Sequence, residues 1–194
     1  MRRQRARSPD KALTINLMKA VLHICCGVCA AGAADMLLIE GHEVTGYFYN
    51  PNIYPRDEYD RRLDAARLVA QKLGFEIIEG PYDTAAWQLA TAGLENEPEG
   101  GLRCTACFRV RLQMTYNQAL ERGAGAFTST LTIGPRKSAA DINRIGEEIG
   151  GEHYLSRDFK KKDGFKRAVQ TAGDWGLYRQ NYCGCIYSMK ETRR

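Results

Sequence analysis

Residues 20–37 read AVLHICCGVCAAGAADML. The stretch joins two local patterns. AVLHI is short, apolar and rich in branched residues, which predicts a buried strand. AGAADMLLIEG, residues 31–41, is rich in alanine and leucine and closes on Gly41, which predicts a helix with a glycine stop. Cys25, Cys26 and Cys29 fall between them, in the turn that leaves the strand. Their spacing must therefore be explained by what happens at a strand's carboxyl end.

Outward from this stretch the same alternation continues. EVTGYFY is a second strand, residues 43–49. RDEYDRRLDAARLVAQKLG repeats Leu63, Ala66, Val69, Ala70 and Leu73 at helical spacing and stops at Gly74. FEIIE is a third strand and TAAWQLATAG a short helix. ENEPEGG reads as an acidic, glycine-rich loop leading into RCTAC. FRVRLQMTYNQALERG is amphipathic and ends at Gly123, and AFTSTL is a fourth strand. SAADINRIGEEIGG is a helix, EHYLS a short extended piece, and FKRAVQTAGDWG a last clear helix. The tail, LYRQNYCGCIYSMKETRR, is irregular or short-helical. Strands alternating with helices predict an α/β fold: a parallel sheet with helices on both faces. Ligands in such sheets sit beyond the carboxyl ends of the strands. The cysteines of the opening stretch lie there, and so do Ser129, Thr130 and Leu131.

The chain has 194 residues, 44% hydrophobic and 26% charged. That suits one domain with a sizeable core. Residues 1–18 are polar and basic without an apolar period and read as a disordered arm; residues 19–194 read as the domain. Met18 is itself a plausible natural start. No apolar run is long enough to span a bilayer, and nothing resembles a secretory signal, so a cytoplasmic protein without a membrane partner is expected. The net charge of +5 is modest. The basic residues are concentrated, however, at the first seven positions, in RCTACFRVR and in SRDFKKKDGFKR. Each run taken alone reads equally well as a solvated face.

Seven cysteines in a reducing compartment point to metal or redox chemistry rather than to a stapled scaffold. They fall into three groups: Cys25, Cys26 and Cys29; Cys104 and Cys107; Cys183 and Cys185. A C-x-x-C pair can turn two thiolates toward one metal, and two such elements supply four soft ligands. Zinc, an iron–sulfur cluster and a bare dithiol all remain open on spacing alone. Adjacent Cys25 and Cys26 suit one zinc ion poorly, because their side chains diverge. Cys183-Gly184-Cys185 would close a small, strained disulfide ring of the labile kind, or would be two buried thiols. His23 reads as a strand histidine satisfying backbone groups rather than as a ligand.

LHICCGVC, RCTACFRVRL, FTSTLTIGPRKSAADINRIGEEIG, YLSRDFKKKDGFKRA and LYRQNYCGCIYS occur in this order between about Leu22 and Ser188. Together they resemble the QueH family of epoxyqueuosine reductases. The resemblance implies a three-layer, Rossmann-like (HUP-type) fold with an irregular, cysteine-bearing C-terminal tail. It implies reduction of the epoxide of epoxyqueuosine, at the wobble position of tRNA, to queuosine, without cobalamin. It implies a [4Fe-4S] cluster on Cys25, Cys26, Cys104 and Cys107, and a redox-active disulfide pair at Cys183 and Cys185. It further implies an additional mononuclear iron, with a ligand at the position of Cys29, where some members have aspartate. Related folds that activate tRNA with ATP carry a serine- and glycine-rich loop after the first strand. CCGVCA stands there instead, so no ATP use is expected.

Turning an epoxide into an alkene takes two electrons and two protons, so an outside electron donor is needed, and the sequence does not identify it. Asp158, Asp163 and Tyr182 are candidate proton donors. Arg136, Lys160, Lys161, Lys162, Lys166 and Arg167 are candidate phosphate contacts. Tyr47, Tyr49, Tyr54, Phe159 and Tyr178 are candidates for stacking on an extruded base. Two rival classes are a zinc-stabilised RNA-binding module and a thiol–disulfide oxidoreductase working through Cys183 and Cys185.

Overall fold

The computed structural model describes residues 17–192. Most of the expected basic arm lies outside the described residues. Met18 already belongs to the fold: its carbonyl accepts the Glu43 N–H at 3.1 Å.

The first strand, β1 (Lys19–His23), is buried on both faces from Ala20 onward. A strand buried on both faces must be central in its sheet. It is: β1 pairs in parallel with β2 (Glu43–Phe48) on one side and β4 (Ala126–Ser129) on the other. The third strand, β3 (Glu76–Glu79), lies beyond β2, giving the order β3-β2-β1-β4. Tyr154 adds a single parallel bridge to Phe127, the remnant of the extended piece expected at residues 152–156.

Parallel neighbours need crossovers, and helices supply them. Helix α1 (Gly27–Ile39) follows β1, and α2 (Arg56–Leu73) follows β2. The short α3 (Thr84–Ala90) and the long α4 (Leu102–Glu121) carry the chain from β3 back to β4. A tight turn at Thr130–Ile133 leads to α5 (Ala139–Gly150), then to α6 (Gly164–Asp174) and α7 (Ile186–Thr192). Helix α1 packs on α2 and α6, while α4 packs on α5, β1 and β4, so the sheet is covered on both sides. The three-layer α/β architecture expected from the alternation is the one observed.

Two boundaries differ from the sequence reading. Helix α1 begins at Gly27, four residues earlier than expected, so Cys29 lies inside its first turn. Its N-cap is Cys26, whose sulfur accepts the Cys29 N–H at 3.5 Å. Helix α4 begins at Leu102, so Cys104 and Cys107 belong to its first turns rather than to a loop before it. No N-cap side chain marks that start, since Gly101 stands there. The Glu97 carboxylate reaches forward instead and accepts the Leu102 N–H at 2.9 Å.

A thiol-lined candidate active site

The strand order reverses at β1. The chain steps from β1 to β2 on one side and only later reaches β4 on the other. A cleft opens at such a point beyond the carboxyl ends of the strands. A cavity of about 280 Å³ fills it, lined by Cys25, Cys29 and Cys183 among others.

Cys25, Cys26 and Cys29 are all buried, and their sulfurs lie within 4.8 Å of one another. The Cys25 and Cys26 sulfurs are 3.9 Å apart. The Thr130 hydroxyl donates to the Cys25 sulfur at 3.3 Å and accepts the Cys25 N–H at 3.1 Å. The Gln180 amide donates to the Cys26 sulfur at 3.0 Å. Hydrogen bonds from Cys26 and Cys29 hold the Cys25 thiol well below its usual range. Hydrogen bonding to Cys25 pushes Cys26 up to about 11 and pushes Cys29 up as well. Cys25 is thus the thiol of the triad that gives up its proton most readily, and a metal would displace protons from the others.

Beneath the triad is a buried polar network. The Arg111 guanidinium donates to Asn50 Oδ1 at 2.6 Å and stands 3.3 Å from His23 Nε2. The other His23 nitrogen is 2.9 Å from the Ser129 hydroxyl. Asn50 donates to the Ile24 carbonyl at 2.9 Å. Burial, with Arg111 beside it, lowers His23 to about 3, so its imidazole is neutral. His23 therefore buttresses the strand end, as the sequence suggested.

Cys104 and Cys107 lie three residues apart on α4 and share a face. The Cys104 sulfur accepts the Gly100 N–H at 3.2 Å. Burial pushes Cys107 up to about 11 and raises Cys104, and the charges of Cys183 and Cys185 raise both further. Cys107 packs with Cys185, Trp87 and Tyr187. Cys183 bridges the two regions, since it also lines the cavity with Cys25 and Cys29. Lys137 sits between: the charges of Cys183, and then of Cys25 and Cys29, raise its ammonium above the usual lysine value.

The Cys183-Gly184-Cys185 loop is held from α2. Arg62 is buried, pairs with Glu58 at 2.7 Å, and donates to the carbonyls of Cys183 at 2.9 Å and Tyr182 at 3.1 Å. The Tyr54 N–H donates to the Gly184 carbonyl at 2.8 Å. Gly184 has φ +126, and a Cβ there would lie 2.9 Å from an Arg62 nitrogen. All seven cysteines are free thiols.

The remaining candidates separate. Arg136 lines the cavity, and Lys161, Lys162, Lys166 and Arg167 are exposed. Lys160 instead turns inward, its ammonium donating to the Lys137 carbonyl at 2.7 Å. Phe159 is 1% exposed and is a core residue, not a stacking platform. Tyr47 and Tyr49 are buried and lie with their rings nearly parallel. Of the proposed proton donors, Tyr182 lines the cavity, while Asp158 and Asp163 do not. The sequence reading missed Arg62, Arg111, Lys137, Gln180 and Glu99, each of which lines the cavity.

The family profile "Epoxyqueuosine reductase QueH" matches residues 20–191. The chain belongs to the QueH family. Its relatives of that name include one from Streptococcus pyogenes, 36% identical over 179 residues, covering 88% of this chain and 70% of the relative. Another, from Acinetobacter baylyi, is 36% identical over 92% of this chain and 84% of the relative. The Thermotoga maritima relative is 34% identical over 89% of this chain and 91% of its own. As a QueH protein the chain is an oxidoreductase. Among solved structures it resembles the U34-tRNA thiolase NcsA of Methanococcus maripaludis. The TM-score is 0.52 at 15% identity, covering 89% of this chain and 62% of that one, which establishes the shared Rossmann-like fold. Among the described residues, no helix is long and apolar enough to cross a membrane.

Proposed function

We propose that this QueH protein reduces the epoxide of epoxyqueuosine, at the wobble position of tRNA, to the alkene of queuosine. The observation that carries this reading is the buried triad of thiols on the wall of the cleft at the sheet's switch point. Three converging sulfurs are a soft donor set that fits iron. Cys25, Cys26, Cys104 and Cys107 would hold a [4Fe-4S] cluster, and Cys29 would offer a ligand to an additional iron. The iron centre, when bound, supplies single-electron transfer and Lewis acidity. Deoxygenation takes up two electrons and two protons, and the oxygen leaves as water.

The protein's own groups do the rest. Lys137 and Arg111 place positive charge at the cavity wall beside the sulfurs, which offsets buried thiolates. Thr130 and Gln180 donate hydrogen bonds to sulfur and fix two of the thiols. Arg136 and Arg179 form no ion pair among the described residues and are available to phosphate, with the exposed Lys161, Lys162, Lys166 and Arg167 beyond them. Cys183 and Cys185 would cycle between dithiol and disulfide, passing on two electrons from an outside donor. Neither cobalamin nor ATP has a part in this scheme, and the cytoplasm, where tRNA is modified, is its setting.

The test is anaerobic purification followed by iron and sulfide analysis and turnover of epoxyqueuosine-containing tRNA. Iron, sulfide and turnover should appear together and vanish together in Cys104→Ala. A colourless zinc protein, or turnover in metal-free protein, would overturn the reading. Activity that depended on Cys183 and Cys185 but survived Cys25→Ala would make it a thiol–disulfide oxidoreductase.

A further inference from the structure

The cavity is cationic almost throughout. Arg62, Arg111, Arg136, Lys137 and Arg179 line it, and Glu99 is the only carboxyl among its lining residues. The loop that presents Glu99 is built to hold still. Buried Arg103 donates to the carbonyls of Leu94, Glu95 and Glu97. Glu97 caps α4 through Leu102, and Glu95 accepts the Gly93 N–H at 3.0 Å. Both neighbouring acids are thus engaged in the loop's own structure. Glu99 is half-buried and has no hydrogen bond or ion pair among the described residues.

A lone unpaired carboxylate in a cationic cavity marks where a cation of the ligand would go, since the arginines and the lysine there repel it and the Cys25 and Cys29 sulfurs are taken up by the proposed metal centre. Epoxyqueuosine, the substrate proposed above, carries such a cation. Its cyclopentane epoxide is joined to the 7-deazaguanine through an aminomethyl link, a secondary amine that is protonated near neutral pH. We propose that Glu99 is the counter-ion of this ammonium and sets the register in which the modified nucleoside enters the cavity. Arg136 and Arg179 then take phosphate, and the carboxylate takes a positive charge that unmodified guanosine lacks. Glu99 is a specificity residue in this assignment. It moves no electrons or protons.

The experiment compares binding of two tRNAs that differ only at the wobble position, epoxyqueuosine or guanosine, to iron-loaded wild type, Glu99→Gln and Glu99→Asp. Glu99→Gln should lose roughly tenfold to a hundredfold in affinity for the modified tRNA, as expected for a charged hydrogen bond. Binding of the unmodified tRNA should stay the same or strengthen slightly. KM should rise far more than kcat falls, and Glu99→Asp should recover part of the preference. Iron content and melting temperature should match wild type. Equal loss for both tRNAs, or loss of iron from Glu99→Gln, would overturn the assignment. So would an undiminished preference for the modified tRNA. A wild type that did not reduce the modified tRNA would sink the proposed function itself; normal wild-type turnover with an unchanged preference in Glu99→Gln would sink only this inference.

Discussion

Two cysteine groups share one cavity and lean to different degrees on distant parts of the chain. Cys25, Cys26 and Cys29 are placed by local structure: a central strand ends, a helix begins, and Cys26 caps that helix with its own sulfur. Cys185 has a similar local frame, since it precedes α7 and its sulfur accepts the Ser188 N–H at 3.4 Å, but Cys183 sits in the loop before it. That loop is placed by a guanidinium more than a hundred residues away, which holds the Tyr182 and Cys183 carbonyls while pairing with Glu58. The backbone of the first group is specified by a few consecutive residues, and Thr130 and Gln180 then fix two of its sulfurs. In the second, Cys183 is specified by the tertiary fold and should be the more fragile in position, though not the more important for cofactor binding.

The comparison can be broken at several points. The largest effect is expected from Cys25→Ala, which removes a thiol from the triad: iron should be lost and turnover should fall to the assay floor, while the far-ultraviolet circular dichroism stays native. Arg62→Met should remove one partner of buried Glu58, leaving Arg61 and Tyr178, and cost about 2 kcal/mol in urea unfolding. If the loop is held from α2, the same variant should speed alkylation of Cys183 and leave the rate at Cys25 unchanged. Gly184→Ala asks a side chain to adopt φ +126 against Arg62, and about 2 kcal/mol of stability should be lost, with Gly74→Ala as a left-handed control in open space.

The smallest effect is on acid stability. Burial raises the Glu58 pKa, but hydrogen bonds from Tyr178 and Arg62, with the Arg62 charge, outweigh it, and the net shift is downward from 4.5. A carboxylate with a depressed folded-state pKa stabilises above its unfolded value and loses that contribution as pH falls below it. Wild type should therefore lose stability below pH 4.5 more steeply than Glu58→Gln. Equal slopes by chemical denaturation would show that the clamp carries no linked proton.

The same contrast explains what the sequence disclosed. Strand β1, the turn cysteines and the fold class follow from short-range patterns: a branched apolar run, an alanine-rich helix, glycine stops. The start of α4 was hidden because its first N–H is capped by Glu97, five residues upstream, rather than by a residue of capping type at the helix boundary. Arg62 looked like one charge on an amphipathic helix, because its partners at Tyr182 and Cys183 are invisible to any local window. Glu99 was hidden among acids in a loop that reads as solvated. Phe159 stood between an aspartate and three lysines, which suggested exposure; a core that closes over α1 and α6 buries it.

The order of the four strands has a consequence for how such a protein can change its trade. A cleft opens wherever the chain leaves a central strand in both directions, whatever residues line it. The scaffold therefore provides a vacant workbench at no cost in inserted sequence. What is done on it is settled by a handful of side chains between Ile24 and Cys29 and by whichever loops lean over them. Exchanging that hexapeptide for one that grips phosphate would leave the hydrophobic interior almost untouched, so one architecture can pass between unrelated chemistries without having to learn to fold again.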